Sequence, residues 1–209
     1  MKKIIKGIEP NEFTEWKNMA DAQWTPSFDK HSGNIKEAVY EALKMEQGFI
    51  CCYCERELME GDYHIEHLNP QEKGLVDPLD FSNMLCSCQR QLKKGEPRHC
   101  GNSKGNWFKE ESFISPLSPG CERKFKYTLD GHIESANEMV DAAVITIDKL
   151  RLGIDKLNKM REKAIEPFID DVLSDQELND FVSGYLIEKD SNAGRYNPFY
   201  TIIKCLFVS

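Results

Sequence analysis

The stretch CCYCERELMEGDYHIEHL, Cys51 to Leu68, holds three cysteines, two histidines and a glutamate beside one another. Cys51 and Cys54 form C-x2-C after the apolar pair Phe49-Ile50, a spacing at which two thiolates can hold one tetrahedral ion. A second pair must come from Cys86, Cys88 and Cys100. Cys88 with Cys100 is the favoured choice, because the intervening QRQLKKGEPRH is polar and contains Gly95 and Pro97, so it can bulge while its ends meet. The expectation is a structural zinc site of Cys51, Cys54, Cys88 and Cys100. Cys52 and Cys86 stand next to chosen ligands and could replace them or serve as small apolar residues, whereas Cys121 and Cys205 read as buried free thiols.

Glu66 and His67 offer different chemistry. A hard divalent ion takes carboxylate or amide oxygen, and a general base near neutral pH is a neutral imidazole. In a strand over YHIEH, His64 and Glu66 point to one face and Tyr63, Ile65 and His67 to the other. The strand must therefore end or twist near Glu66 if Glu66 and His67 are to share a pocket. Downstream, Asn83 lies in DFSNMLCSC, and Asn102 and Lys104 lie just after Cys100. Lys104 and Arg98 are candidates for gripping phosphates.

The elements that must position these groups are short. Pro10 at a first helical position and the spacing of Phe13, Trp16 and Ala20 predict a helix, and Ile35, Val39, Ala42 and Leu43 predict a second one ended by Gly48. Residues 48–112 carry no long periodic stretch and read as a small module whose core is held by metal ligands more than by apolar volume. KFKYT and HIES predict a hairpin turning at Asp130-Gly131. Beyond it the apolar spacing is helical, with breaks at Gly153 and Pro167, and Ser174 with Glu177 is a capping-box signature. The fold class is α+β and mainly helical. A zinc-stabilised finger at 48–112 stands between an N-terminal helical arm, 1–47, and a hairpin with a helical region, 113–209, suited to docking a partner.

The net charge of −8 argues against a protein that coats nucleic acid unaided. Yet between Cys86 and Lys109 six bases, Arg90, Lys93, Lys94, Arg98, Lys104 and Lys109, face one acid, Glu96. The acidity concentrates between Ile154 and Asp190, where acids outnumber bases ten to five. No run of about 18 apolar residues occurs, and the start MKKIIKGIEPNEF is soon interrupted by Lys6 and Glu9, so the expected location is cytoplasmic. Eight cysteines in that compartment are expected to be reduced, some holding metal.

The set HIEHLNP, FSNMLCSC and HCGNSKG resembles the ββα-metal finger of the HNH endonuclease superfamily. The resemblance implies His67 as general base, Glu66 and Asn102 as ligands of a catalytic Mg²⁺ or Mn²⁺, and Asn83 as the group orienting His67 and its loop. Many members place the third motif residue directly after the cysteine, where this chain has Gly101. Asn102 is the nearest match and His99 its rival, while His64 is either a further ligand or a supporting group. Together with KMEQGFICCYCERE and ISPLSPGCERKFKYTLDGHIES, these motifs resemble the PtuB-like nucleases of Septu and retron-associated anti-phage systems. That likeness implies a nuclease acting on DNA or RNA beside a PtuA-type ATPase of the ABC/SMC-like kind, and in retrons beside a reverse transcriptase and its RNA-DNA product. The competing reading is a zinc-stabilised adaptor that binds nucleic acid or a partner protein without cleaving anything.

Overall fold

A computed structural model describes residues 1–30, 33–71, 76–137, 141–169 and 173–208. Pro10 precedes helix α1 (Asn11–Asn18) as its cap position, one residue earlier than the expected first helical position. Helix α2 (Asn34–Gln47) stops at Gly48, whose φ of 65° lies in the left-handed region that closes a helix with little cost only for glycine. The chain before α1 forms no helix, and it buries Met1 and Ile4.

Strand β1 (Tyr63–His67) pairs antiparallel with β2 (Met84–Cys88) in the register Tyr63↔Cys88 to His67↔Met84. Sequence pattern gave no notice of β2, because MLCSC is buried at every position and so lacks the alternation that marks a half-exposed strand. The single-turn helix α3 (Gly101–Lys104) follows directly on Cys100. The predicted hairpin forms as β3 (Phe125–Tyr127) and β4 (Ile133–Ser135), with Gly131 at a φ of 80° in its turn.

Asp141 caps α4 (Ala142–Lys149) by accepting from the amides of Ala143 and Val144. After Gly153 comes α5 (Asp155–Ile165), and Pro167 falls in the 3-10 turn that follows it. The Ser174–Glu177 capping box opens α6 (Asp175–Tyr185). A last helix, α7 (Tyr200–Phe207), lies beyond what the sequence reading covered. The class is α+β, with two small antiparallel sheets among the described residues and a cluster of four cysteines.

The module around β1 and β2 shares one core with the helices: Leu85 and the cysteines belong to the same buried cluster as Leu43 of α2, Leu157 of α5 and Ile202 of α7. Polar links fasten it from outside. The Cys100 amide donates to the Leu150 carbonyl at 2.8 Å. Glu55 is buried where it meets the Met1 ammonium at 2.6 Å and accepts from the Thr201 amide at 2.8 Å. Among the described residues no helix is long and apolar enough to cross a membrane.

Candidate metal centre and active site

The turn after Phe49-Ile50 delivers Cys51 and Cys54, the end of β2 delivers Cys88, and the residue before α3 delivers Cys100. Their four sulfurs lie within 4.8 Å of one another, and Cys54 and Cys88 are 3.8 Å apart. A tetrahedral ion with sulfur bonds of about 2.3 Å sets its sulfurs about 3.8 Å apart, so the four buried cysteines can hold a structural metal such as zinc. The thiols of the cluster divide into two pairs. Against the upward push of burial, donation from Cys100, Cys52, Cys54 and Cys88 draws Cys51 well below an ordinary thiol. Cys54 is likewise brought down to about 7, chiefly by Cys100. Cys88, against the lowering by Cys100, is pushed well above the ordinary value by Cys51, Cys54 and burial, and Cys100 is pushed up by burial and by Cys51, Cys54 and Cys88. Cys52 and Cys86 are raised too, by burial and by Cys51, so position and not acidity sets the four clustered cysteines apart.

Positive charge stands behind the sulfurs. Arg56 is held above its ordinary value despite burial, because Cys88 and Cys54 face it, and four thiolates around a divalent cation carry net negative charge that such a partner offsets. His99 is fully buried, with Nδ1 3.1 Å from Cys100 Sγ and 3.8 Å from Cys88 Sγ. It therefore supports the cysteine cluster, and its Nε2 is buried without a hydrogen-bond partner. Cys121 is buried as expected, but Cys205 is exposed, because its face of α7 is turned away from the core.

Beside the cluster, β1 carries Glu66 and His64 on the face toward α3. Glu66 is 7% exposed, yet its carboxyl is held below the ordinary carboxylate value: burial would raise it, and His64 and Lys104 outweigh burial. Oε1 accepts from Lys104 Nζ at 2.7 Å and from the Tyr53 hydroxyl at 3.1 Å. Oε2 faces His64 Nε2 at 3.8 Å. Lys104 also donates to the His67 carbonyl at 3.0 Å. It is 3% exposed, so the phosphate grip expected of it gives way to an internal ion pair; Arg98 is exposed.

His67 closes β1 on the opposite side. Its Nε2 lies 3.0 Å from the Pro78 carbonyl, which only accepts, and 2.9 Å from the Gln71 amide nitrogen. Pairing with the carbonyl calls for the tautomer with the proton on Nε2 and the lone pair on Nδ1. The Gln71 amide reaches Nδ1 at 2.8 Å, and the Phe28 ring packs edge-on against the imidazole. Asn83 clamps the chain just past His67, donating to the Asn69 carbonyl and accepting from the Asn69 amide, both at 2.8 Å. The strand end does what the alternation required: Glu66 and His67 both line a cavity of about 400 Å³, together with Gln71, Gly101 and Asn106.

Asn102 is not brought to Glu66. Its amide donates to the Gln89 carbonyl, while the residue pointing at Glu66 is Gly101, where a Cβ would collide with Glu66 Oε2 and lie 2.8 Å from His64 Nε2. Neighbouring helix positions diverge by about 100°, which accounts for the difference. Tyr53, Gln71 and Pro78 were not singled out from sequence. Tyr53 stands inside the C-x2-C turn, where a large polar side chain signals a buried acceptor nearby.

An antiparallel strand pair ending in Glu-His is followed, after Cys100 of the four-cysteine cluster, by a short helix. The chain belongs to the HNH endonuclease family. It is 30% identical over 142 residues to a protein of Vibrio cholerae serotype O1 biovar El Tor, named as a candidate HNH endonuclease of retron Vc95, a match covering 65% of this chain and 67% of that one. No protein-family model matches the chain.

Proposed function

We propose that this protein is a metal-dependent HNH endonuclease that hydrolyses phosphodiester bonds of nucleic acid. In this reading it is the effector of a cytoplasmic anti-phage defence system of the retron or Septu kind, and it acts with a PtuA-type ATPase. The observation that carries the reading is the meeting of Glu66 and His67 in one cavity at the end of β1, with Asn83 fixing the chain that follows.

Nδ1 of His67 takes a proton from a water in the cavity, and the Pro78 carbonyl holds the opposite ring nitrogen and stabilises the charged imidazole. The Gln71 amide must give up its place on Nδ1 to that water. The water oxygen then bonds to phosphorus as the bond to the 3′ oxygen breaks. A divalent ion such as Mg²⁺ or Mn²⁺, when bound, supplies neutralisation of charge on the scissile phosphate and on the leaving oxygen. Glu66 is suited to hold it, since it lines the cavity and Lys104 and Tyr53 fix its Oε1. The four-cysteine site is read as zinc and as structural. The retron-associated name of the Vibrio relative supports the defence setting, and the net charge of −8 accords with reliance on a partner for substrate grip, docked on 113–209.

One observation favours the adaptor reading: Asn102, the residue assigned to complete the ion's ligands, is engaged with Gln89. The deciding experiment incubates the protein, alone and with the ATPase, with plasmid DNA and with RNA in Mg²⁺ or Mn²⁺, beside His67→Ala. Cleavage by the wild type, reduced at least about 100-fold in the variant, is expected. Equal cleavage by both, or none in any combination, rejects the nuclease.

A further inference from the structure

We propose that His64, through Nε2, is a ligand of the same divalent ion as Glu66 Oε2, in the place left by a helix residue that Gly101 does not supply. The inference rests on the nuclease reading for what the ion is for, but its geometry stands apart from cleavage.

Strand alternation sends His64 and Glu66 to one face of β1, opposite Ser87 and Leu85 of β2. Glu66 Oε1 is occupied by two donors, Lys104 Nζ and Tyr53 Oη. These fix the carboxylate plane and commit Oε2 to the His64 side. The 3.8 Å between His64 Nε2 and Glu66 Oε2 exceeds a hydrogen bond. It falls between the about 3 Å of neighbouring ligands and the about 4 Å of opposed ligands around an ion with bonds of about 2.1 Å.

The start of α3 is built around that gap. The Gly101 amide donates to Ser87 Oγ at 3.1 Å, anchoring the helix start to β2 directly over Glu66 and His64. Gly101 is not among the positive-φ residues, so the glycine is required for space and not for backbone freedom. Any side chain there would run into Oε2 and Nε2, filling the point where the two atoms converge. The ring's other nitrogen, Nδ1, is buried without a partner, so Nε2 is the atom turned to the site. An imidazole nitrogen in the donor set shifts the preference away from Mg²⁺, which takes oxygen, toward ions such as Mn²⁺ or Co²⁺.

The test titrates the zinc-loaded full-length protein with Mn²⁺ and follows free ion and bound ¹⁴N coupling by electron paramagnetic resonance. Expected is one Mn²⁺ per chain with a directly bonded imidazole nitrogen. His67→Ala should keep that coupling. His64→Ala should lose it and weaken binding about 10-fold or more, and His64→Gln, which preserves side-chain bulk and offers oxygen, should lose the nitrogen coupling while retaining part of the affinity. Zinc content and circular dichroism establish that each variant is folded. Unchanged coupling and affinity in both His64 variants, or no Mn²⁺ bound by the wild type at millimolar concentration, overturns the proposal. Mn²⁺ bound through His64 without cleavage of any nucleic acid would leave this site standing and remove the nuclease; cleavage dependent on His67 with a His64-independent ion would do the reverse.

Discussion

Lys104 carries the charge balance of the site. It is buried against Glu66 and holds the His67 carbonyl at the same time, so its loss leaves a buried carboxylate facing only Tyr53 and His64. Breaking a buried pair from one side costs about 3–5 kcal/mol. Lys104→Met is therefore expected to lower the unfolding free energy in urea by that order, and adding Glu66→Gln should recover part of the loss. An unchanged urea midpoint in the single variant would dismiss the pair as a stabilising element. The four clustered cysteines were legible in the sequence because a C-x2-C pair is suited to holding a metal and the loop between Cys88 and Cys100 can bulge while its ends meet. The site around Glu66 was legible in residue type only. A buried lysine and a glycine that makes room are both fixed by where α3 crosses β1, and linear spacing carries no record of that crossing.

The elements themselves are of two kinds. Helices α2, α4 and α6 carry local end signals in Gly48, Asp141 and the Ser174–Glu177 box; Gly48 and the box were legible in the sequence, whereas the Asp141 cap was not read. Strand β2 is held by burial on all sides and by pairing with β1, which no local signal encodes. Its last residue, Cys88, is one of the four clustered cysteines, so a bound ion and the strand pair should stand or fall together. Removal of metal by a strong chelator, or Cys54→Ser, is expected to abolish cooperative thermal unfolding, with about one zinc per chain lost. Cys52→Ala, next to the same turn, should keep its zinc. Elemental analysis with calorimetry checks both, and zinc retained in Cys54→Ser would mean another ligand set. The hairpin makes an independent demand. Gly131 adopts a φ of 80°, its absent side chain makes way for the backbone of α5 at Asn158, and its carbonyl accepts from buried Arg161 at 2.6 Å. Gly131→Ala should cost at least the about 1–2 kcal/mol of left-handed backbone for an L-residue, seen as a lower denaturant midpoint with metal content intact.

At the scale of the whole molecule, the N-terminal segment is tied to distant parts of the chain by carboxylates, a closure that charge counts along the sequence do not reveal. Glu122 accepts from the Lys3 amide at 2.9 Å and pairs with Lys2 at 3.1 Å. Burial would raise its carboxyl, and these two partners outweigh burial and hold it below the ordinary 4.5. A carboxyl whose folded value lies below its unfolded one contributes stability that is complete above the unfolded value and disappears as pH falls through the folded one. Stability should therefore be level around neutrality and decline once pH drops below about 4.5. Protonation of the zinc thiolates would fall in the same direction, so the wild-type curve alone does not isolate the clamp. The difference between wild type and Glu122→Gln does, because the cysteines titrate in both proteins. The variant is expected to be less stable by about 1 kcal/mol at pH 7, with the gap narrowing as pH falls through the lowered folded value of Glu122. No gap at pH 7 would show that the amide's hydrogen bond, which glutamine can still accept, and not the carboxylate charge, holds the segment in place.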